Sequence, residues 1–149
     1  MLAAVMVVEG VLRHPDSEGH FDTGWCLFQA LVKNSRLHLL SHQWTESDIS
    51  HWLARRHLIG YQSYLHAPEP GAAGRLETLH RVRGWRIGSL YIDADAACTA
   101  AARAAGWNVA LLSHGQQSPM PQPLRPWDDL TDAVEHQHSL RLTTHQEQQ

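Results

Sequence analysis

The chain has 149 residues, a net charge of −3, 43% apolar and 18% charged residues, which suits one domain with a buried core at the usual roughly 100–200 residues per domain. The acidic balance excludes a general binder of the phosphate backbone, which carries a basic excess. The longest apolar run, residues 2–8, is far short of the roughly 20 residues of a membrane span.

Residues 3–8 (Ala-Ala-Val-Met-Val-Val) are a β-branched apolar run closed by Glu9 and Gly10, the pattern of a buried strand in a parallel sheet. That run lacks the basic start and the small-residue cleavage site of a secretory leader. A polar loop over 13–22 leads to a helix over 23–33, with Asp22 or Thr23 as cap and Trp25, Phe28, Leu31 and Val32 at helical spacing. Residues 37–40 form a second strand, closed by Ser41, His42 and Gln43. Thr45 then caps a helix in which Asp48 completes a capping box and Ile49, Trp52 and Leu53 make the apolar stripe. A short third strand is expected within 58–65, a Pro/Gly/Ala loop over 67–74, and a helix over 75–82 carrying Leu76, Leu79 and Val82. Residues 88–93 are a strand ending on Asp93, and an alanine-rich helix over 96–105 stops at Gly106. A fifth strand covers 109–112. A proline-rich loop over 118–126, a short helix over 127–135 and a polar tail over 138–149 complete the reading.

Strands alternating with helices imply an α/β fold: a doubly wound, mostly parallel sheet of about five strands with helices on both faces and no sizeable cap domain. One domain is expected over 1–137, with 138–149 as a flexible tail. Ligands of such sheets bind beyond the carboxyl ends of the strands, near the switch in strand order. The residues placed there are Glu9 and Gly10, then Ser41, His42 and Gln43, then Asp93 and Asp95, then Ser113, His114 and Gly115. Carboxylates, hydroxyls and loop amides on one rim are the groups that hold Mg²⁺ and phosphate.

These residues resemble the motifs of the haloacid dehalogenase-like (HAD-like) hydrolases. The family's first-strand motif hhhhDxDGTL is matched by residues 4–12, its strand-closing Ser or Thr by Leu39-Leu40-Ser41, and its acidic pair by Ile92-Asp93-Ala94-Asp95. The helix ending Ala102-Arg103-Ala104-Ala105-Gly106-Trp107 is also similar, so the resemblance covers about residues 3 to 113. It implies Glu9 as acid/base, Gly10, Ser41, His42, Arg75 and His114 on a phosphate or other ligand, and Asp93 and Asp95 on a weak or lost Mg²⁺. The departures are equally specific. The family's nucleophilic Asp, which becomes an aspartyl phosphate, is Val7 here, and the motif Thr is Val11. No Lys stands before the acidic pair; Arg75 is the nearest match, with Arg81, Arg83 and Arg86 further along. The acidic doublet is split by Ala94.

The resemblance therefore implies a pseudoenzyme, a non-catalytic or very weakly active HAD-like domain kept to bind a small phosphorylated molecule or a protein partner. The alternatives are a divergent Mg²⁺-dependent phosphatase or nucleotidase using Glu9, Asp93 and Asp95, and a phage structural or assembly component. The chain also resembles the small HAD-like proteins of actinobacterial phages, through its Arg125-Pro126-Trp127-Asp128-Asp129-Leu130 segment and its eleven Arg to one Lys. The expected location is then the host cytoplasm. A response-regulator receiver is set aside, because only Glu9 comes near that fold's acidic pair.

The 12 histidines invite a metal reading that their spacing does not support. His38 and His42 straddle a strand end, His136 and His138 fall where the last helix frays, and no HExxH or Cys/His quartet occurs. His42 and His114, each after a strand-terminal Ser, are the two expected at the crevice. Cys26 and Cys98, outside any CxxC pair, are expected to be buried free thiols of a reducing cytoplasm. Trp25, Trp52 and Trp107 are expected in the core, and Trp44, Trp85 and Trp127 at element boundaries.

Overall fold

A computed structural model describes residues 2–82 and 89–114. β1 (Ala3–Val7), α1 (Asp22–Asn34), β2 (Arg36–Ser41), α2 (Glu46–Arg55), β3 (Ser63–His66), α3 (Ala72–Arg81), β4 (Leu90–Asp93), α4 (Ala96–Ala104) and β5 (Asn108–Leu111) follow one another in strict alternation. The five strands are all parallel, in the order β3-β2-β1-β4-β5. This is the expected α/β fold, Rossmann-like and, among the described residues, without a cap domain. The chain divides into two compact units, Met1–Ser113 and His114–Gln149, and His114 is the one described residue of the second. The expected proline-rich loop, last helix and tail lie outside the described residues, as do Trp85, Trp127, Arg83 and Arg86.

Every residue of β1 is buried, as a central strand covered on both faces requires. Val7 pairs in register with Leu40 of β2, and Met6 with both Leu39 and Ile92 of β4. Phe28, Trp52, Met6 and Tyr91 are the largest side chains enclosed by the core. The capping box forms as the sequence predicts: the Asp48 amide donates to Thr45 Oγ1 and the Thr45 amide to Asp48 Oδ2.

Several boundaries and burials differ from expectation. The third strand shrinks to Ser63–His66, because Gly60 takes a left-handed φ of +95° that breaks the extended run from Leu58. The helix expected from Arg75 begins at Ala72, so Arg75 lies within its first turns rather than at its start. No side chain caps α1: Phe21 is its N-cap, and the Phe21 amide is held instead by the Leu12 carbonyl at 2.9 Å. The side that α1 turns inward carries Gly24 and Phe28, which rotates Trp25 and Cys26 outward; Trp25 is 36% exposed, and Cys26 is exposed rather than buried. Trp107 is half-buried against the core, while Cys98 is buried as expected.

His38 sits within β2, buried, with Nδ1 2.7 Å from the Ser63 hydroxyl. Burial, aided by the charge of Arg36, pushes its pKa below the ordinary imidazole value. The unfolded chain therefore takes up a proton before the folded one does. Stability contributed by neutral His38 is lost as pH falls from the ordinary value towards the lowered one. Urea midpoints measured between about pH 7 and pH 5 should fall, and the slope should flatten in His38→Asn, which keeps a nitrogen near Ser63 but does not titrate. An unchanged slope would remove His38 as a source of acid sensitivity.

Candidate functional site

β1 and β4 are neighbours in the sheet but distant in sequence, since the chain runs outward from β1 to β3 before returning to β4. The switch in strand order therefore lies between them. An open crevice of about 490 Å³ occupies that position, lined by Glu9 and Gly10 after β1, His42 and Gln43 after β2, Arg75 of α3, and Asp93 to Ala96 at the β4–α4 junction, with Pro15 from the following loop. A switch-point crevice is where doubly wound sheets bind their ligands.

The turn that delivers Glu9 is tight. The Leu12 and Arg13 amides donate to the Val8 carbonyl at 3.0 and 2.9 Å, and the Gly10 amide to the Arg13 carbonyl at 2.8 Å. Gly10 has φ +86°, a conformation that favours glycine, and a Cβ there would come 3.2 Å from that of Ala94. Glu9 is 5% exposed. Its Oε1 accepts from the Ser41 hydroxyl and, at 3.2 Å, from the Gln43 amide, while Oε2 lies 3.8 Å from His42 Nδ1. Ser41 is fully buried between Glu9 and the Trp44 amide, which donates to its Oγ at 3.3 Å.

On the β4 side, Asp93 is 1% exposed and Arg75 6%. Arg75 Nη1 donates to Asp93 Oδ2 at 2.7 Å and to Cys98 Sγ at 2.9 Å. Asp93 Oδ2 also accepts from the Tyr91 hydroxyl, and Oδ1 from the Asp95 amide at 3.0 Å. Burial pushes the Asp93 pKa up, opposed by Tyr91, Arg75 and the backbone amides. Burial likewise raises Tyr91 and keeps its phenol protonated as a donor. Asp95 caps α4: its Oδ1 accepts from the Ala97 and Cys98 amides at 2.8 and 3.1 Å. Those bonds, the Cys98 amide first, hold its carboxyl below the usual range.

Glu9, Gly10, His42, Arg75, Asp93 and Asp95, all picked out in the sequence, thus line one crevice, with Ser41 directly behind Glu9. His114 belongs to the second unit and is described by itself. Val7 is fully buried in the strand at the position the resemblance gives to the nucleophile. Among the described residues no group of three His, Cys, Asp or Glu side chains is placed to hold a metal ion, and no helix is long and apolar enough to cross a membrane. The donor set does not fit Mg²⁺, which takes near-octahedral oxygen ligands: Asp93 is bound by a guanidinium and Asp95 by a helix end.

Two contributors, Arg13 and Tyr91, were not singled out in the sequence. Arg13 is buried under the rim, its guanidinium 3.8 Å from the centre of the Trp44 ring and 3.4 Å from Gln43 Oε1. Its signal was faint, a lone Arg after the apolar pair Val11-Leu12 in an otherwise polar loop. Gln43, expected at this strand end, supplies the amide that meets Glu9. Tyr91 was legible, because the period of two along a strand puts it on the same side as Asp93. No protein-family model matches the chain, and neither does any curated protein or solved structure.

Proposed function

We propose that the chain is a HAD-like domain without phosphoryl-transfer chemistry, retained as a binding or interaction module with its ligand site in the switch-point crevice. Val7 carries this reading. A covalent route through an aspartyl phosphate needs a carboxylate at that position, and Val7 is a hydrocarbon, fully buried. The surroundings support it: Arg75, in place of the family's lysine, is locked to Asp93, and Asp95 is committed to its helix.

With p-nitrophenyl phosphate and Mg²⁺ the protein should give no turnover above buffer, and Glu9→Gln and Asp93→Asn should leave that baseline unchanged. Sustained Mg²⁺-dependent hydrolysis abolished by either substitution would sink the reading. One observation favours the competing one, a divergent phosphatase or nucleotidase: Glu9, Arg75, Asp93 and Asp95 do share a single crevice. That alternative requires a rise in Tm with Mg²⁺ plus a phosphate analogue.

A further inference from the structure

The charge of the crevice is the first guide to its ligand. Three carboxylates (Glu9, Asp93 and Asp95) face it against two guanidiniums, that of Arg75 in the lining and that of Arg13, buried under the rim and interacting with Glu9. Arg75 is already paired with Asp93, and the Ala97 and Cys98 amides at the start of α4 are taken by Asp95. A bound phosphate needs uncommitted donors and positive potential, and this rim offers a negative field instead.

The second guide is what remains unsatisfied. Asp93 has partners on both oxygens. Glu9 Oε2, on a side chain only 3% exposed, has no hydrogen-bond partner among the described residues, and neither does His42 Nδ1 beside it. A buried carboxylate oxygen left this way is costly. At 3.8 Å the two atoms repel if both present lone pairs and attract if Nδ1 carries the proton. The carboxylate therefore selects the Nδ1–H tautomer, which makes Nε2 the acceptor of the neutral ring. The other two unsatisfied groups, Arg75 Nε and Arg13 Nε, are donors, and Arg75 also lines the crevice.

We propose that the crevice receives a small organic ammonium ion, accepted by His42 Nε2, with Glu9 as the residue that fixes the His42 tautomer. An ammonium suits the negative field and asks for individual acceptors, where Mg²⁺ asks for several oxygens at once. A hydroxyl on the same ligand would meet the Arg75 Nε–H. The proposal rests on the binding-module reading and names its ligand class.

The test uses the full chain labelled with ¹⁵N, the His42 ring signals identified by their loss in His42→Gln, at about pH 8, where imidazole is neutral. The free protein should show His42 as the Nδ1–H tautomer, and Glu9→Gln should shift it towards Nε2–H. Ethanolamine should move the His42 Nε2 signal saturably and bind at least about tenfold more weakly to Glu9→Gln. Inorganic phosphate and Mg²⁺ at matched ionic strength should not saturate. An Nε2–H tautomer in the wild type, or no saturable response to ethanolamine, overturns the proposal. Saturation by phosphate or Mg²⁺ instead overturns it while keeping a ligand site in the crevice; silence to all three probes removes the small-molecule site from the module reading as well. If Glu9→Gln does not fold, the wild-type tautomer and the ethanolamine titration still decide.

Discussion

Replacing Arg75 with Met should destabilise the fold by about 3–5 kcal/mol, because it leaves the Asp93 carboxylate buried without its cation. Against a total of about 5–15 kcal/mol for a domain, that is a fifth or more of the stability. Two further measurements separate lost charge from lost packing. Adding Asp93→Asn to Arg75→Met should restore part of the loss, with a coupling of about 1–3 kcal/mol, since the residues are in direct contact. The single variant should also gain stability on acidification. Its folded-state carboxyl pKa, already raised by burial, rises further without Arg75, so the folded chain binds the proton first. Stability then increases as pH falls from that raised value towards the ordinary one. Additive losses and a flat pH response would show that Arg75 matters here only through its stem.

Gly24→Ala should lower stability by about 3 kcal/mol or more, although alanine is normally the better helix former by about 1 kcal/mol. A Cβ on Gly24 would overlap the Val11 carbonyl oxygen and come 2.8 Å from its carbon and 3.0 Å from Leu12 Cα. These are backbone atoms, so no side-chain rotation relieves the contact. Thr23→Ala, one residue earlier and exposed, should change stability by less than about 0.5 kcal/mol. Because Val11 belongs to the turn that carries Glu9 and Gly10, the Gly24 variant should also move their backbone resonances. Urea denaturation and amide spectra check both parts, and a neutral Gly24→Ala would mean α1 can shift freely on the sheet.

The alternation of elements, the parallel sheet and the gathering of Glu9, Ser41, His42 and Asp93 could be read from the sequence, because strand ends in a doubly wound sheet all point to one edge; Arg75, on α3, was indicated only by the resemblance. Strand and helix periodicities also place Trp52 and Tyr91 inside. The partnerships could not be read. Period and spacing put Asp93 and Asp95 near each other, but only the fold gives Asp93 to Arg75 and Asp95 to the amides of α4. The exposure of Trp25 was hidden for a related reason: a helical stripe fixes which residues share a face, whereas the approach of Gly24 to the Val11 carbonyl decides which part of that face turns inward. The absent side-chain cap of α1 goes with a neighbouring contact, the bond of the Phe21 amide to the Leu12 carbonyl, which fixes the entry of the chain.

The Asp95 cap has a consequence for how this site can change over evolutionary time. Freeing the Ala97 and Cys98 amides for an incoming anion removes an N-cap worth about 1 kcal/mol. Placing a carboxylate at the fully buried Val7 position adds a desolvation penalty on top. Each single step towards anion chemistry therefore lowers stability before any activity can reward it.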